Sequence, residues 1–419
     1  MHEWLPIGAE DLAEFDSAFP YIPDPRECMS CGLCLKVCPT AQVFQSEAES
    51  PRQRIRTISK LLVENLPISA EERLHLDSCV QCRACESVCP SKMPYGQLFD
   101  QAQHKTSKPP SFLARTAFQV IQHRYLLRWL MPGLALYLKL GLQKPLRASG
   151  LLKKIGLANA EALISKPTLQ PLAEYYPATT EAHGTVALFT GCITAHFDQA
   201  TLHAAIKVLN AIGYAVKVPR AQECCGALHQ HNGHSASTFI ANNIRVFNAL
   251  EVDAVLHCTS GCGAMLSEYQ SDDAEATECF HSRLYDANDF ILQHWPETLP
   301  LETSNRTVAV HEPCSQRNVL RNSQTIYALL KKIPGLTVTP LADNHLCCGA
   351  GGAYMLTHPD NAAALGTLKH QCINSTAADV VVSTNFGCAL FLRTPNINIE
   401  HPLCVLAKQL SSDVARIMR

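Results

Sequence analysis

Eight cysteines near the N-terminus constrain the fold of this chain more than any other feature. They form two copies of one spacing, C-x2-C-x2-C-x3-C, and a proline follows the last cysteine of each copy. The eight residues are Cys28, Cys31, Cys34 and Cys38, then Cys79, Cys82, Cys85 and Cys89. Such close spacing lets one loop wrap a metal cluster with three thiolates, and the proline then directs the chain away. The pattern therefore predicts two metal centres.

The metal in these centres could be zinc or an iron–sulfur cluster. Zinc sites also use C-x2-C units, but zinc usually takes two such pairs per ion rather than a three-cysteine run followed by Cys-Pro. The spacing is that of ferredoxins with two 4Fe-4S clusters, in which the fourth cysteine of each run binds the other cluster. We therefore predict exchanged ligand sets, and a chain that moves electrons. The sets are Cys28, Cys31, Cys34 and Cys89 for one cluster, and Cys79, Cys82, Cys85 and Cys38 for the other.

The composition fits an intracellular redox protein. The chain has 419 residues, which is enough for two or three domains, and 20 cysteines. Its first residues are acidic and lack the apolar stretch of a signal peptide, so we expect reduced metal ligands in the cytoplasm rather than a disulfide scaffold. No apolar run approaches the length of a membrane-spanning helix. We expect no nucleic-acid partner.

The net charge of −2 conceals an uneven distribution. Residues 101–160 contain ten Lys or Arg and no Asp or Glu, so the rest of the chain carries a charge of about −12. A basic, leucine-rich stretch with aromatic residues is typical of a segment that lies on an anionic membrane surface or docks on an acidic subunit. It is equally typical of a solvated linker helix whose apolar face covers two domains. The sequence leaves these interpretations open.

The C-terminal part of the chain contains an internal repeat. A β-branched run ends in a cysteine at 185–192 and again at 307–314, and each is followed by a predicted helix, a strand and a Cys-Cys-Gly motif. A second helix, at 236–250 and 360–374, and a third strand complete each copy. Corresponding cysteines are offset by 122, 123 and 126 residues. A fixed period indicates duplicated units, and alternating strands and helices predict a small parallel sheet in each.

Each repeat supplies four cysteines near predicted strand ends, where open α/β sheets place their sites. The two sets are Cys192, Cys224, Cys225 and Cys262, then Cys314, Cys347, Cys348 and Cys388. Adjacent cysteines rarely form a mutual disulfide without strain, and the glycine after them permits close backbone approach, so both sets are candidate cluster ligands. The alternative is four buried structural cysteines in each repeat. Four other cysteines are assigned to packing: Cys258, Cys279, Cys372 and Cys404.

Two further features near these motifs carry a weaker signal. The glycine-rich run at 349–352 could direct backbone N–H groups at cluster sulfurs or an anion, and alone it is a weak nucleotide-binding signal. His229, His231 and His234 follow the first Cys-Cys-Gly and could relay protons, although loop histidines near a cluster more often form hydrogen bonds or face solvent. We assign no catalytic residue, and the chain shows no flavin or dinucleotide fingerprint.

These patterns predict a mixed fold, α+β or α/β, in which a helical domain with two 4Fe-4S clusters precedes a duplicated α/β cysteine-rich domain. The predicted parts are a ferredoxin-type domain at 1–105 with motifs at about 18–50 and 70–100, a basic amphipathic helical linker at 106–183, a first repeat at 184–300 and a second repeat at 301–419.

The combination of two ferredoxin runs with two Cys-Cys-Gly repeats resembles the iron–sulfur subunits of glycolate oxidase and their lactate-oxidising relatives. The resemblance covers nearly the whole chain and is carried by the strings GCIT, CCGA, SGCGA, HLCCGAGGAYMLTHPD and NFGC. The repeats also resemble the cysteine-rich domain of heterodisulfide reductases, where each repeat ends in C-x2-C and carries a noncubane cluster. Here Thr259 and Asn385 replace one cysteine per repeat. Cys258 is adjacent, but a one-residue shift on a strand points its side chain to the opposite face.

The resemblance implies an electron-transfer subunit of a flavin-dependent 2-hydroxy acid dehydrogenase. Hydride removal is the work of a flavin, so FAD is expected on partner subunits that oxidise glycolate to glyoxylate. This chain would pass the electrons singly to a quinone or another membrane acceptor, at the inner face of the cell membrane. The alternatives are a subunit of a lactate-oxidising complex, a disulfide reductase that works at a Cys-Cys-Gly site, and a non-catalytic assembly protein with structural clusters.

Overall fold

A computed structural model of the chain describes residues 24–106, 120 and 124–411. Parts of three predicted domains therefore lie outside the described residues: 1–23 of the ferredoxin-type domain, 107–119 and 121–123 of the linker, and 412–419 of the second repeat. The described elements confirm the predicted fold class, because a helical N-terminal domain precedes two α/β repeats.

The N-terminal domain is built from short helices around the two cysteine loops. The helices are α1 (Pro39–Phe44), α2 (Pro51–Leu62), α3 (Ala70–Asp77), α4 (Ala84–Ser87) and α5 (Tyr95–Thr106). Ser69 and Glu72 cap α3 reciprocally, each side chain accepting a backbone N–H bond of the other residue. Ile58, Leu76 and Phe99 join α2, α3 and α5 in one hydrophobic core. These contacts hold the two cysteine loops against a common scaffold.

The described residues of the predicted linker form four helices. They are α6 (Arg124–Lys139), α7 (Gln143–Ala148), α8 (Leu151–Lys154) and α9 (Ala158–Ala162). Glu161, the first acidic residue after the acid-free segment, is buried and accepts bonds from Tyr137 Oη at 2.9 Å and Arg147 Nε at 2.5 Å. These two bonds tie α9 to α6 and α7. None of the helices in the described part of the chain is long and apolar enough to cross a membrane.

Each repeat contains the predicted parallel sheet. The first sheet has the order β1-β3-β2-β4-β5, and the second has the order β7-β6-β8-β9. The strands are β1 (Tyr175–Tyr176), β2 (Gly184–Phe189), β3 (Tyr214–Lys217), β4 (Ala254–His257), β5 (Leu284–Asp286), β6 (Thr307–His311), β7 (Thr337–Pro340), β8 (Val380–Ser383) and β9 (Ile399–Glu400). The antiparallel β1 adds residues from the predicted linker to the first sheet. The other four strands of that sheet match the second sheet in order and direction.

The repeats also share a pattern of helices. The helices of the first repeat are α10 (Thr194–Phe197), α11 (Gln199–Ala211), α12 (Ala227–Gln230), α13 (Ser237–Asn248), α14 (Ser260–Leu266), α15 (Ala274–Ser282) and α16 (Ala287–Gln293). Those of the second are a π-helical segment (Ser315–Leu320), α17 (Ser323–Leu330), α18 (Tyr354–Thr357), α19 (Pro359–Asn374), α20 (Phe386–Leu392) and α21 (Pro402–Lys408).

The two repeats bury one hydrophobic core between them. Side chains alternate along a strand, so Val186 and Leu188 of β2 face this core, as do Val308 and Val310 of β6. Helices α11, α16, α17 and α21 fill the space between the two sheets. The opposite faces of the sheets form two separate cores, and the Cys-Cys-Gly motifs lie there. The fold therefore places the two sets of four cysteines on the outer sides of the shared core.

Candidate metal centres

One small cavity brings together cysteines from both ferredoxin-type runs. Its wall contains Cys38 from the first run with Cys79, Cys82 and Cys85 from the second. Cys38 immediately precedes α1, and the second run leads from the end of α3 into α4. The last cysteine of the first run thus meets the first three of the second, which is the grouping that the exchanged pattern requires.

The chemistry of this wall fits an iron–sulfur cluster. Burial raises the pKa of the Cys79 thiol, and it raises those of Cys82 and Cys85 well above the usual range. Ligation takes a cysteine as the thiolate, because the positive metal ions compensate the charge that burial disfavours. Cysteine supplies the only sulfur donors of the wall, and no carboxylate belongs to its described lining. Nowhere in the described part of the chain do three or more His, Cys, Asp or Glu side chains have the spacing for a single metal ion.

The other four cysteines of the two runs lie at the edge of the same domain. Burial raises the pKa of the Cys34 thiol, and the nearby Cys28 thiolate adds to this effect. Cys28 and Cys89 both pack against the core of the N-terminal domain. Cys31 is exposed, and Gly32 after it adopts a left-handed φ of 80°, which a glycine reaches without strain. This group is more accessible to solvent than the first.

A buried cation lies beside the cavity, and sequence analysis missed it. The Arg54 side chain is 2% exposed, forms an ion pair with Glu49, and donates to Ser78 Oγ at 3.0 Å. Its Nη1 atom lies 3.9 Å from Cys38 Sγ. The signal for this residue was present in the sequence, because Arg54 lies on the apolar face of α2, next to Ile55.

The four predicted cysteines of the first repeat form a chain of contacts. Cys192, after the end of β2, has its Sγ 3.4 Å from Cys224 Sγ. Cys225 is hydrogen-bonded to Cys262 of α14. The bond to Cys224 and burial together raise the pKa of the Cys192 thiol well above its usual range. The strand end, the Cys-Cys-Gly loop and the helix after β4 therefore converge on one group of sulfurs.

The second repeat repeats this arrangement. Cys348 Sγ lies 2.7 Å from Cys388 Sγ, and Cys314 is hydrogen-bonded to Cys347. Three of these four cysteines are buried, and Cys314 is half-buried. The structure thus brings together each set that the internal repeat predicted.

The glycine of each Cys-Cys-Gly motif allows the backbone to approach the sulfurs. Gly226 and Gly349 both have a φ of 89°. Their N–H groups donate to Cys224 Sγ at 3.4 Å and to Cys347 Sγ at 3.3 Å. A Cβ atom at Gly349 would lie 2.4 Å from a backbone oxygen of α19, so a larger residue would displace the motif.

The residues at the positions of the missing thiols have other roles. Thr259 is the N-cap residue of α14. Asn385 caps α20, accepting from the Cys388 N–H at 3.2 Å, and its Nδ2 donates to Ser315 Oγ at 3.2 Å. Cys258 is buried in the shared core, on the other face of β4 from the four sulfurs of its repeat. Cys258 therefore does not replace the missing thiol.

The assignment of the remaining cysteines to packing is wrong for one of them. Cys258 and Cys372 are buried, and Cys404 packs against the shared core. Cys279 is exposed, because α15 packs through Phe280 and leaves the neighbouring position facing solvent.

The loop of the second cysteine run docks on the second repeat. Val80 packs against Cys347 and Tyr354 in a small hydrophobic cluster. Gly351 of the glycine-rich run has a left-handed φ of 47°, and a Cβ atom there would lie 2.7 Å from Val80 Cγ2. The glycine-rich run therefore gives the N-terminal domain room to approach the second repeat, a role that the sequence did not indicate.

Polar contacts extend this docking on the second repeat. Asn318 Nδ2 donates to the Cys82 carbonyl at 2.7 Å. Cys82 packs in the same hydrophobic cluster as Cys347. The cavity lined by Cys38, Cys79, Cys82 and Cys85 is therefore adjacent to the sulfurs of the second repeat.

The first repeat contacts the same loop through its histidine segment. Gln81 Nε2 donates to the His231 carbonyl at 3.0 Å, and Arg83 forms an ion pair with Glu268. His231 Nδ1 lies 3.2 Å from Asp100 Oδ1, and this carboxylate outweighs burial and raises the pKa of His231. His229 is buried beside Phe239, with ring centres 4.8 Å apart. His231 thus belongs to the contact between domains.

Models of known protein families match three regions of the chain. A 4Fe-4S dicluster domain matches residues 25–93, and a cysteine-rich domain matches residues 186–267 and 308–393. Between them, the linker region of glycolate oxidase iron–sulfur subunits matches residues 109–164. These matches confirm the ferredoxin-type and repeated cysteine-rich domains.

Similar proteins extend over most of the chain. A probable glycolate oxidase iron–sulfur subunit of Bacillus subtilis (strain 168) is 32% identical over 391 residues, which are 87% of this chain and 88% of that protein. A glycolate oxidase iron–sulfur subunit of Escherichia coli (strain K12) is 28% identical over 405 residues, or 93% and 95% of the two chains. A hypothetical protein from Helicobacter pylori has a similar fold, with a TM-score of 0.51 and 11% identity over 86% of this chain and 69% of its own.

We expect Cys38→Ser to perturb the cluster associated with Cys79, Cys82 and Cys85 more than the other cluster. Serine is a poorer ligand for iron, and Cys38 shares its cavity with those three residues. EPR spectra of the reduced variant measure the two signals separately. Cys34→Ser is the matched control and should affect the other cluster; selective loss of that other signal in Cys38→Ser would contradict the exchange.

We expect serine at both Cys347 and Cys348 to lower the iron content of the chain below that of the wild type. The two sulfurs lie in the outer core of the second repeat, together with Cys314 and Cys388. Iron per chain, measured with the folding of each variant, checks this. Cys372→Ser, a buried cysteine outside the group, is the control. Unchanged iron in a folded double variant would leave the four cysteines a structural role.

Proposed function

The chain belongs to the family of glycolate oxidase iron–sulfur subunits, and on this premise we propose that it is the electron-transfer subunit of a flavin-dependent 2-hydroxy acid oxidase that converts glycolate to glyoxylate. The observation that carries the proposal is the cavity where sulfurs from both ferredoxin-type runs meet beside the second repeat. Such a position suits a carrier that passes electrons between domains.

We assign two 4Fe-4S clusters to the eight N-terminal cysteines. The proposed ligands are Cys28, Cys31, Cys34 and Cys89 for the first cluster, and Cys38, Cys79, Cys82 and Cys85 for the second. When bound, each cluster accepts and releases one electron at a time. The protein holds the second set in a buried wall and the first set near its surface, where Cys31 is exposed. This difference in exposure suits entry of electrons near Cys31 and transfer inward to the second set.

We further propose that a repeat holds an additional iron–sulfur cluster. The candidate ligands are Cys192, Cys224, Cys225 and Cys262 in the first repeat, and Cys314, Cys347, Cys348 and Cys388 in the second. The support is the convergence of each set on the outer face of its sheet. Thr259 and Asn385 stand where the heterodisulfide reductase pattern has a cysteine, which leaves each repeat one thiolate short of it, so the proposal does not extend to disulfide reduction.

The oxidation itself is assigned to partner subunits that bind FAD. Removal of hydride from glycolate needs a hydride-accepting cofactor, which is FAD in this proposal, and this chain shows no flavin or dinucleotide fingerprint in its sequence. Lactate is the competing substrate, because a lactate utilization protein A of Shouchella clausii is 27% identical over 215 residues, which are 49% of this chain and 88% of that protein. Glycolate is favoured, since the matches named for glycolate oxidase span most of the chain.

We expect the purified chain to contain iron but no flavin, and to oxidise neither glycolate nor lactate alone. Activity with an artificial electron acceptor should return when the FAD-bearing subunits are added, because only these remove hydride. The measurement compares reduction of the acceptor with each substrate, with and without the partners. Turnover by the isolated chain would contradict the carrier role, and preference of the complex for lactate would reassign the substrate.

We further propose that the chain is cytoplasmic and lies peripherally on the anionic inner face of the cell membrane. Its electron acceptor there is a quinone or another membrane carrier. The helices α6 to α8 carry the support for this. Trp129 is 82% exposed, and Leu130, Leu136 and Leu140 are exposed beside it. Arg128, Lys139 and Lys144 are exposed on the same helices, within the segment that lacks acidic residues. Exposed apolar groups mixed with cations suit the interface of an anionic bilayer.

We expect a triple change of Arg128, Lys139 and Lys144 to Glu to release the complex from anionic vesicles. Each basic residue near such a surface contributes roughly 1 kcal/mol, so the partition coefficient should fall by well over tenfold, and raised salt should mimic the variant. Vesicle sedimentation measures it. The matched control changes Arg245, Arg321 and Lys331, which are exposed on the repeats. Retention on vesicles with loss of the flavin subunits would instead make this surface a subunit interface.

A further inference from the structure

The wall around the second set of cysteines opposes reduction of a cluster there. An added electron increases the negative charge of the cluster, and burial disfavours a charged group. The uncharged residues Pro39, Pro51 and Val80 line this wall together with the cysteines. A cluster in this position therefore needs neighbouring groups that stabilise negative charge if it is to accept electrons at a useful potential.

Arg54 is one such group. Its guanidinium is held from several sides. Nε donates to the His75 carbonyl at 2.7 Å, and Nη1 donates to Thr40 Oγ1 at 3.0 Å. The same Nη1 lies 3.9 Å from Cys38 Sγ. Arg54 and Cys79 both line the cavity, so the guanidinium also lies near a second sulfur of the set.

The Glu49 carboxylate does not cancel this field by its position. This carboxylate binds the Nη2 side of the guanidinium. It also accepts a hydrogen bond from Ser78 Oγ and lies 2.7 Å from His75 Nδ1. The Nη1 side remains directed at Thr40 and Cys38. The pair therefore presents its positive end to the sulfurs.

Tyr95 is the second group. Its Oη lies 3.4 Å from Cys79 Sγ, and the Gln81 N–H lies at the same distance from this sulfur. The ring is buried and packs against Phe99, with ring centres 5.9 Å apart. The hydroxyl can thus be removed while the ring keeps its packing.

We propose that Arg54 and Tyr95 raise the reduction potential of the cluster bound by Cys38, Cys79, Cys82 and Cys85. Positive charge and hydrogen bonds at ligand sulfurs stabilise the more negative, reduced state. The inference rests on the proposed function, because it assumes that ligand set. The cluster that these residues make easier to reduce is the one whose ligand Cys82 packs in the same hydrophobic cluster as Cys347 of the second repeat. Arg54 and Tyr95 therefore favour the reduced state of the cluster from which electrons leave the N-terminal domain.

The test is a redox titration of the purified, cluster-loaded chain, followed by EPR. Tyr95→Phe should lower the midpoint potential of the second cluster and leave that of the first unchanged. A tenfold fall in the equilibrium constant for one-electron reduction corresponds to 59 mV. Tyr137→Phe is the matched control, since its hydroxyl binds Glu161 in the linker. An unchanged potential in Tyr95→Phe, with both signals present, overturns the role of Tyr95 and leaves the proposed function intact.

Arg54 needs a variant that leaves no buried charge unpaired. Arg54→Gln with Glu49→Gln removes both charges, and it should also lower the potential of the second cluster alone. Arg147→Gln with Glu161→Gln is the matched control, because this ion pair lies in the linker. A double variant with the wild-type potential would show that the pair has no net effect at the sulfurs. If the wild-type chain contains only one cluster, by contrast, the proposed ligand set itself is wrong.

Discussion

The cost of burying sulfur that must carry negative charge is the constraint on which this structure depends. Burial raises the pKa of thiols in the second cysteine run. In both repeats, hydrogen bonds to neighbouring thiols and then burial raise the pKa of the cysteines. Nearby hydrogen-bond donors offset this cost in each group. They are the Arg54 guanidinium and the Tyr95 hydroxyl in the N-terminal domain, and the glycine N–H groups after each Cys-Cys pair. The fold therefore places these donors beside the sulfurs as well as packing the hydrophobic cores.

Duplication makes the two repeats alike, but docking makes them unequal. They share one core, filled by helices from both repeats, and each carries its cysteines on the outer face of its sheet. Val80 nevertheless packs against Cys347 of the second repeat only, whereas the first repeat contacts the same loop through Gln81 and Arg83. Two groups of four cysteines with the same local chemistry thus lie at different places relative to the N-terminal domain. Their roles in electron transfer can differ without any difference in their cysteines.

Sequence spacing predicted what depends on local chain geometry. The cysteine runs and the parallel sheet of each repeat follow from residues close in sequence. The position of Cys258 also followed, because the alternation of a strand places it opposite its neighbour. Contacts between distant residues were not predictable in this way. Nothing in the glycine-rich run indicates that Gly351 accommodates Val80, about 270 residues earlier in the chain. Cys279 was misassigned because the exposed side of α15 shows only after the helix is packed.

The basic linker is anchored to the second repeat through α9. Glu161 ties α9 to α6 and α7 through Tyr137 and Arg147, and α9 in turn contacts α18 of the second repeat. Helix α18 begins directly after the glycine-rich run that receives the loop of the second cysteine set. The exposed apolar and basic surface of the linker is therefore connected to the part of the second repeat where the N-terminal domain docks. If electrons leave through the second cluster, the linker connects that exit to the surface that we propose to lie on the membrane.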